Sequence, residues 1–248
     1  NLLSLAAEQR IKKVVYTSSV ATIKIMDDGT LSKEDSYASL PDMEGHYKRS
    51  KYLGEMVVNE LAKEGLPVVI VNPSAPVGPH DVKPTPTGKI LLDYAKGKMK
   101  GYIDTGINIV AVEDVAKGHL LAAEKGKIGE RYILGSQNLK LIEIFKMLEK
   151  ITGIKTPKLK APYWLAYTAG IINEYYANIM NKTPEIPLDG VKMTKKNMFF
   201  DSSKAERELG YKTTSVEDAL ARSINWFKEN NYIWKVRENE RKWKKEKF

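Results

Sequence analysis

Apolar positions along this chain switch between helical spacing and continuous β-branched runs. Leu2, Leu5 and Ala6 lie on one helical face, and KKVVYTSSV (12–20) follows as a buried-strand run that ends in small hydroxyl residues. A loop through Asp42 leads to a helix from about His46 to Lys63, the strand Pro67 to Val71, and the Pro/Gly-rich loop NPSAPVGPHDVKPTPTG. The pattern then predicts a helix from Lys89 to about Lys96, a short strand pair around Tyr102 to Val110, a helix from Asp114 to Lys125 and a strand at Arg131 to Leu134. Beyond that the chain reads as helical, with candidates at Leu141 to Ile151, Trp164 to Met180, Ser203 to Leu209 and Ser215 to Glu229. Ser203 with Glu206 and Ser215 with Asp218 have capping-box spacing. No internal repeat is visible.

Strands alternating with helices predict an α/β fold: a doubly wound parallel sheet with helices on both faces and a smaller, mostly helical C-terminal lobe. In such sheets ligands sit beyond the carboxyl ends of the strands, which directs attention to the residues after Thr17 and after Val71. No apolar run reaches the length of about 18 residues that crosses a bilayer. The stretch Ala161 to Met180 is interrupted by Asn173, Glu174 and Asn178, and its Trp164, Tyr167, Ile171, Ile172 and Tyr175 recur at helical spacing. It reads as an amphipathic helix packed on a core or pocket in preference to one lying on a membrane.

Composition narrows the chemistry. The 248 residues contain 42% hydrophobic and 29% charged side chains, enough for a globular core of one large domain or of one domain with a companion. With no cysteine and three histidines, disulfides, thiolate nucleophiles and the common zinc and iron–sulfur sites drop out, a usage compatible with a cytoplasmic protein. The net charge is +9, but seven basic and three acidic residues between Ile233 and Phe248 contribute four of it. This tail, with Trp234 and Trp243, reads as a solvated terminal segment rather than a nucleic-acid or lipid-binding one.

Within the helix starting near His46, Tyr47 and Lys51 are four apart and share a face. A phenol that titrates near 10 becomes a working acid and base at neutral pH when a fixed ammonium stabilises its phenolate. A serine hydroxyl at a strand end can hold the substrate oxygen that changes protonation. The spacing alone proves little, because it also occurs at Tyr94 and Lys98, where no hydroxyl-bearing strand end lies upstream and a structural role is expected. Asp114 is expected to cap its helix, His119 to be a satisfied helix histidine, and His80 to be a loop residue.

The segments VVYTSSVAT, YKRSKYLGE, VNPSAPVGP, VAVEDVAKGHLLAAEKG and FFDSSKAERELGY occur in an order that resembles the NAD-dependent epimerase/dehydratases of the extended short-chain dehydrogenase/reductase family. Within that family the chain is most similar to the dihydroflavonol-4-reductase-like branch and the hopanoid-associated sugar epimerases, through PSAPVGPHDVKPTPTGKI and DGVKMTKKNMFFDSSKAERELGYK. The resemblance covers nearly all of residues 1–232. It implies that Ser19, Tyr47 and Lys51 are catalytic and that Thr17, Ser18, Tyr47, Lys51, Pro73, Ser74 and Val77 contact NAD or NADP; no metal is implied. It also implies that 1–138 is the C-terminal part of a Rossmann domain, 139–232 a substrate lobe interleaved with it, and 233–248 a basic tail outside the family pattern.

The family's G-x-x-G-x-x-G phosphate turn does not occur in these 248 residues, and the helix-to-strand opening reads as N-terminally truncated. The expectation is therefore an oxidoreductase or epimerase whose 248-residue portion is inactive by itself. Its substrate would be a sugar nucleotide or a polycyclic, lipid-like secondary alcohol, with aromatic surface from Trp164, Tyr167, Tyr175 and Tyr176. Reductase, epimerase and dehydratase would share one catalytic trio. Two other readings stay open: a non-catalytic nucleotide-sensing or scaffold protein on the same fold, and a peripheral membrane-associated protein. No nucleic-acid partner is expected, while a homodimer and weak membrane-surface association through the tail are compatible.

Overall fold

The computed structural model describes residues 2–26, 28–180 and 188–233. Its central sheet is parallel, with β1 (Val14–Thr17) beside β2 (Val68–Pro73) and β2 beside β6 (Arg131–Leu134). β2 occupies the middle and is buried on both faces, as its unbroken VVIVN run requires. Its side chains alternate. Val69 and Val71 pack with Ala122 of α4 (Val112–Lys125) and with Ala205 and Leu209 of α8 (Ser203–Leu209). Val68 and Ile70 pack with Val58 of α2 (Gly45–Lys63) and with Leu3 and Ala6 of α1 (Leu2–Glu8). Helices thus cover both faces, which is the doubly wound α/β arrangement expected.

At its carboxyl end this sheet hands over to a second one. β2 continues through Ser74 into β3 (Ala75–Val77), and β6 continues through Gly135 and Ser136 into β7 (Gln137–Lys140). Between them runs β5 (Gly106–Ala111), parallel to β3 and antiparallel to β7. Gly135 is required at the crossing, because a Cβ there would lie 2.5 Å from Asn108 Oδ1. The largest core packs β3 and β5 against α3 (Pro86–Ala95), α5 (Leu141–Thr152) and α9 (Val216–Glu229), with Leu91, Ile109, Phe145, Leu148, Leu220 and Phe227 at its centre.

Several local expectations differ from what forms. Residues 101–111 do not pair with each other. β4 (Gly101–Ile103) runs parallel to β8 (Leu159–Ala161), since β5 takes a partner on each edge and leaves none for β4. Ser215 caps α9 by accepting the Asp218 N–H, but at α8 the Ser203 N–H is taken by Asp201 Oδ1 and the Ser203–Glu206 box does not form. Asp114 is no cap: Ala111 holds that position, and the fully buried Asp114 carboxylate accepts the Thr214 N–H at 2.6 Å and its hydroxyl at 2.8 Å. Tyr94 is structural as expected, donating to the Ile154 carbonyl at 2.6 Å.

Helix α6 (Tyr163–Ile179) forms where expected, but it faces the other way. Its inner side carries Ala166, Gly170 and Ala177 and packs on α7 (Leu188–Met193), while Trp164, Ile171, Ile172 and Tyr175 point outward and Tyr167, half-buried, stacks on Tyr163. The reason is steric: at Gly170 the two helices approach so closely that an added Cβ would sit 3.3 Å from Leu188. Apart from Ile233, the basic tail lies outside the described residues. No helix among the described residues is long and apolar enough to cross a membrane.

The Asp114–Thr214 contact joins positions one hundred apart and offers a direct test of the fold. Asp114→Ala strands two donors, and should lower the urea-unfolding free energy by about 1–3 kcal/mol. Asp114→Asn, which keeps an acceptor oxygen, should lose less.

Candidate functional site

The carboxyl ends of β1 and β2 lie side by side, with Thr17 paired to Val71 and the Ser18 N–H donating to the Val71 carbonyl at 2.8 Å. Three hydroxyl residues close β1, and each has a different environment. Thr17 is exposed, with its Oγ1 2.9 Å from His119 Nε2. His119 Nδ1 lies 2.8 Å from the Val115 carbonyl, an acceptor only, so Nδ1 carries the proton and Nε2 accepts from Thr17. Both ring nitrogens of His119 are thereby satisfied, as expected. Ser18 is buried and donates to Glu55 Oε2.

Ser19 is half-buried. Its hydroxyl oxygen accepts the Ala21 N–H at 3.1 Å, which caps a single 3₁₀ turn (Val20–Thr22) and leaves the hydroxyl proton unused. Its carbonyl accepts from Asn72 Nδ2 at 3.0 Å, so the turn is fastened to the end of β2.

Tyr47 and Lys51 lie in the first two turns of α2. The Tyr47 side chain is 57% exposed and that of Lys51 half-buried, and neither makes a hydrogen bond or ion pair among the described residues. Both groups are therefore available to a ligand. The next residue on their stripe is Glu55, and it is 3% exposed. Positions 47, 51 and 55 advance about 40° per step, so the three share one face of the helix.

Glu55 fixes that face against the strand ends. Its Oε2 accepts from Ser18 Oγ, from Thr22 Oγ1 at 2.8 Å and from Asn72 Nδ2 at 3.0 Å, while Oε1 accepts from Arg131 Nη1 at 3.0 Å. Thr22 Oγ1 also lies 2.8 Å from the Ser19 carbonyl, but its single proton is better spent on the carboxylate, where charge strengthens the bond. Arg131 in turn donates through Nε to the Glu34 carbonyl at 2.6 Å, and Glu34 Oε1 accepts the Ile133 N–H. Burial pushes the Glu34 carboxyl up from its ordinary range, only partly opposed by that N–H. The network draws β1, β2, β6 and α2 to one point.

The residues after β2 end in unspent polarity. Pro73 is half-buried, Ser74 is buried with no partner for its hydroxyl, and Asn72 Oδ1 is likewise buried and unpaired. Val77 belongs to the large core. A buried hydroxyl without a partner is costly, and at a strand end it is the group that a ligand amide or carbonyl would satisfy. His80, three residues beyond Val77, sits at φ +68° beside the Trp226 ring. A cleft of about 880 Å³ is lined by Tyr52, Glu55, Asn59, Arg131 and Lys204 and includes none of Ser19, Tyr47 or Lys51.

The structure thus brings Thr17, Ser18, Ser19, Pro73 and Ser74 to adjacent strand ends, with Tyr47 and Lys51 on the helix face tied to them. Sequence reasoning passed over Glu55 and gave Asn72, at the end of the second strand, no role. The signal for Glu55 was available: it continues the Tyr47–Lys51 spacing by one more helical turn.

Residues 1–135 match the family model described as the NAD dependent epimerase/dehydratase family. A Synechocystis protein, named provisionally as a dihydroflavonol 4-reductase, is 42% identical over 94% of this chain and 69% of its own length. The sterol demethylase protein B of Methylococcus capsulatus is 32% identical over 94% of the chain and 71% of its own length. Among solved structures, that of gox2253 superposes with a TM-score of 0.82 at 43% identity, over 94% of this chain and 71% of that one.

If Glu55 is the anchor of this site, its removal leaves Arg131 and three further donors without their acceptor. Glu55→Ala should reduce unfolding free energy by about 3 kcal/mol or more in urea denaturation, the range for breaking one side of a buried ion pair. A loss no larger than that of an exposed glutamate would show that α2 is held by other contacts.

Proposed function

Because this chain belongs to the NAD-dependent epimerase/dehydratase family, we propose that it carries the catalytic half of an oxidoreductase or epimerase acting on a secondary alcohol or its ketone. When bound, the nicotinamide supplies the acceptor or donor of a hydride. The buried, unpartnered Ser74 hydroxyl at the end of β2 supports this reading, since it would meet the carboxamide there, beside Pro73 and Val77. Lys51 and Tyr47 would hold its ribose.

The proton chemistry belongs to the chain's own side chains. Tyr47 takes the substrate hydroxyl proton during oxidation and returns it during reduction, while Ser19 donates its unused hydroxyl proton to the substrate oxygen as charge develops there. The Lys51 ammonium lies one turn along the same helix face, within reach of the same ligand. The observation that carries this reading is the Glu55 network. It ties the Tyr47–Lys51 face of α2 to the strand end that bears Ser18 and Ser19, so the acid/base pair and the serine answer to one rigid frame.

The substrate, in this reading, is a sugar nucleotide or a polycyclic, lipid-like alcohol met by the lobe formed from residues 139–232. The sterol-related name of one relative favours the second class. A scaffold role would leave the tyrosine, lysine and serine without a use.

Two measurements test the proposal. In the protein assayed with a complete cofactor-binding domain, Tyr47→Phe should leave NAD(P) affinity nearly unchanged and cut turnover by about 10²- to 10⁴-fold; an unchanged rate removes Tyr47 from the chemistry. The 248 residues themselves contain no G-x-x-G-x-x-G turn for the pyrophosphate. They should therefore show no turnover, and their NAD(H) or NADP(H) affinity in calorimetric titration should be weaker than micromolar. A micromolar constant would show that the strand ends suffice.

A further inference from the structure

Helix α6 turns most of its large apolar side chains outward. Its outward arc carries Trp164, Leu165, Ile171, Ile172, Tyr175, Tyr176 and Ile179, with Ile172 68% and Tyr175 70% exposed. At 100° per residue these seven fall within about 140° of arc, a stripe interrupted by Thr168 alone. The inner arc carries Ala166, Gly170, Asn173, Glu174 and Ala177, with the half-buried Tyr163 and Tyr167 stacked on each other at its edge. Large apolar groups gathered on the solvent side of one helix mark an interaction surface.

What lies beside the stripe identifies its partner. β8 ends two residues before α6 begins, and its register with β4 sets Gly101 opposite Leu159, so the preceding residues Lys100 and Lys158 are neighbours. Around them stand Lys96, Lys98, Lys155 and Lys160, all exposed, and the segments KGKMK and KTPKLK contain no acidic residue. Lys96, Lys98, Lys100 and Lys158 have no ion-pair partner among the described residues, and the neighbouring Asp104 is already engaged by Lys140 and Lys160. Four unpaired lysines at the root of an outward stripe of tryptophan, tyrosine, isoleucine and leucine fit an anionic lipid surface, with rings at headgroup depth and ammonium groups on the lipid phosphates. A second copy fits less well, since two such faces would bring the lysine clusters together. We propose that α6, with the lysines of the β4–β8 edge, docks this protein on anionic membranes as a peripheral, non-spanning contact. This stands independently of the catalytic reading.

Flotation of the 248-residue chain with phosphatidylcholine vesicles, with and without phosphatidylserine and at low and high salt, tests it. The chain should float only with the anionic vesicles, and high salt should weaken binding by about tenfold or more. Ile172→Asn with Tyr175→Asn, and separately Lys98→Gln with Lys100→Gln and Lys158→Gln, should each cut partitioning by about tenfold while leaving the circular dichroism spectrum and unfolding midpoint in place. Hydrogen exchange should show α6 protected when vesicles are added, a readout that needs no variant. Four results would overturn the proposal: no flotation, equal flotation on neutral vesicles, binding that survives both variant sets but is lost when the lysines after Ile233 are neutralised, or self-association in solution that the α6 variants abolish.

Discussion

One carboxylate governs the geometry of the candidate site. Glu55 is almost wholly inside the protein, yet it accepts hydrogen bonds from the end of β1, the 3₁₀ turn after it, the end of β2 and the start of β6. Removing a carboxylate from water costs several kcal/mol, and a buried ion pair does little better than balance that cost. Its effect is on register. Hydrophobic packing would let α2 slide or rotate at small cost, since Val58 is its only fully buried apolar side chain. A carboxylate that must meet four donors permits one rotation and one height of the helix.

That constraint extends to the groups left open. Where β2 crosses into β3, the chain leaves the central sheet for the second, and the residues at the crossing lose the ladder partners they would have in a longer strand. Ser74 keeps its backbone bond to Leu134, but its hydroxyl has none, and the Asn72 amide spends its nitrogen on Ser19, Thr22 and Glu55 while its oxygen stays unpaired. A fold built for stability alone would pair such atoms or replace them with apolar ones. Here they persist unpaired at the end of β2.

How much of this the sequence disclosed depends on whether a feature is local. The β2 run VVIVN, the β-branched start of β1 and the helical spacing of α2, α4, α5 and α9 were legible because each is set by burial repeated over a turn or more. β3, β7 and β8 were not: three or four residues such as Ala75–Val77 or Leu159–Ala161 carry no period, and their strand character comes from partners far along the chain. Asp114 was placed correctly in the first turn of a helix, yet its function is set by Thr214, a hundred positions away. Glu55 sits between these cases, legible as the next step of a helical stripe although its bonds to Ser18, Thr22, Asn72 and Arg131 were not.

Helix α6 shows a further limit, because periodicity reveals that a helix has an apolar stripe without revealing where that stripe points. The packing decides it: Gly170 and Ala177 allow α7 to approach closely, and once the small side is spent on that contact the large side chains have only the exterior left. The same reasoning locates the basic surplus. Charged side chains in the interior are consumed in pairs such as Arg131 with Glu55, so the field outside is set by lysines that lack partners, and a group of these stands at the β4–β8 edge. Polar groups inside the protein are thus fixed by pairing with one another, whereas the lysines beside the exposed stripe are left unpaired.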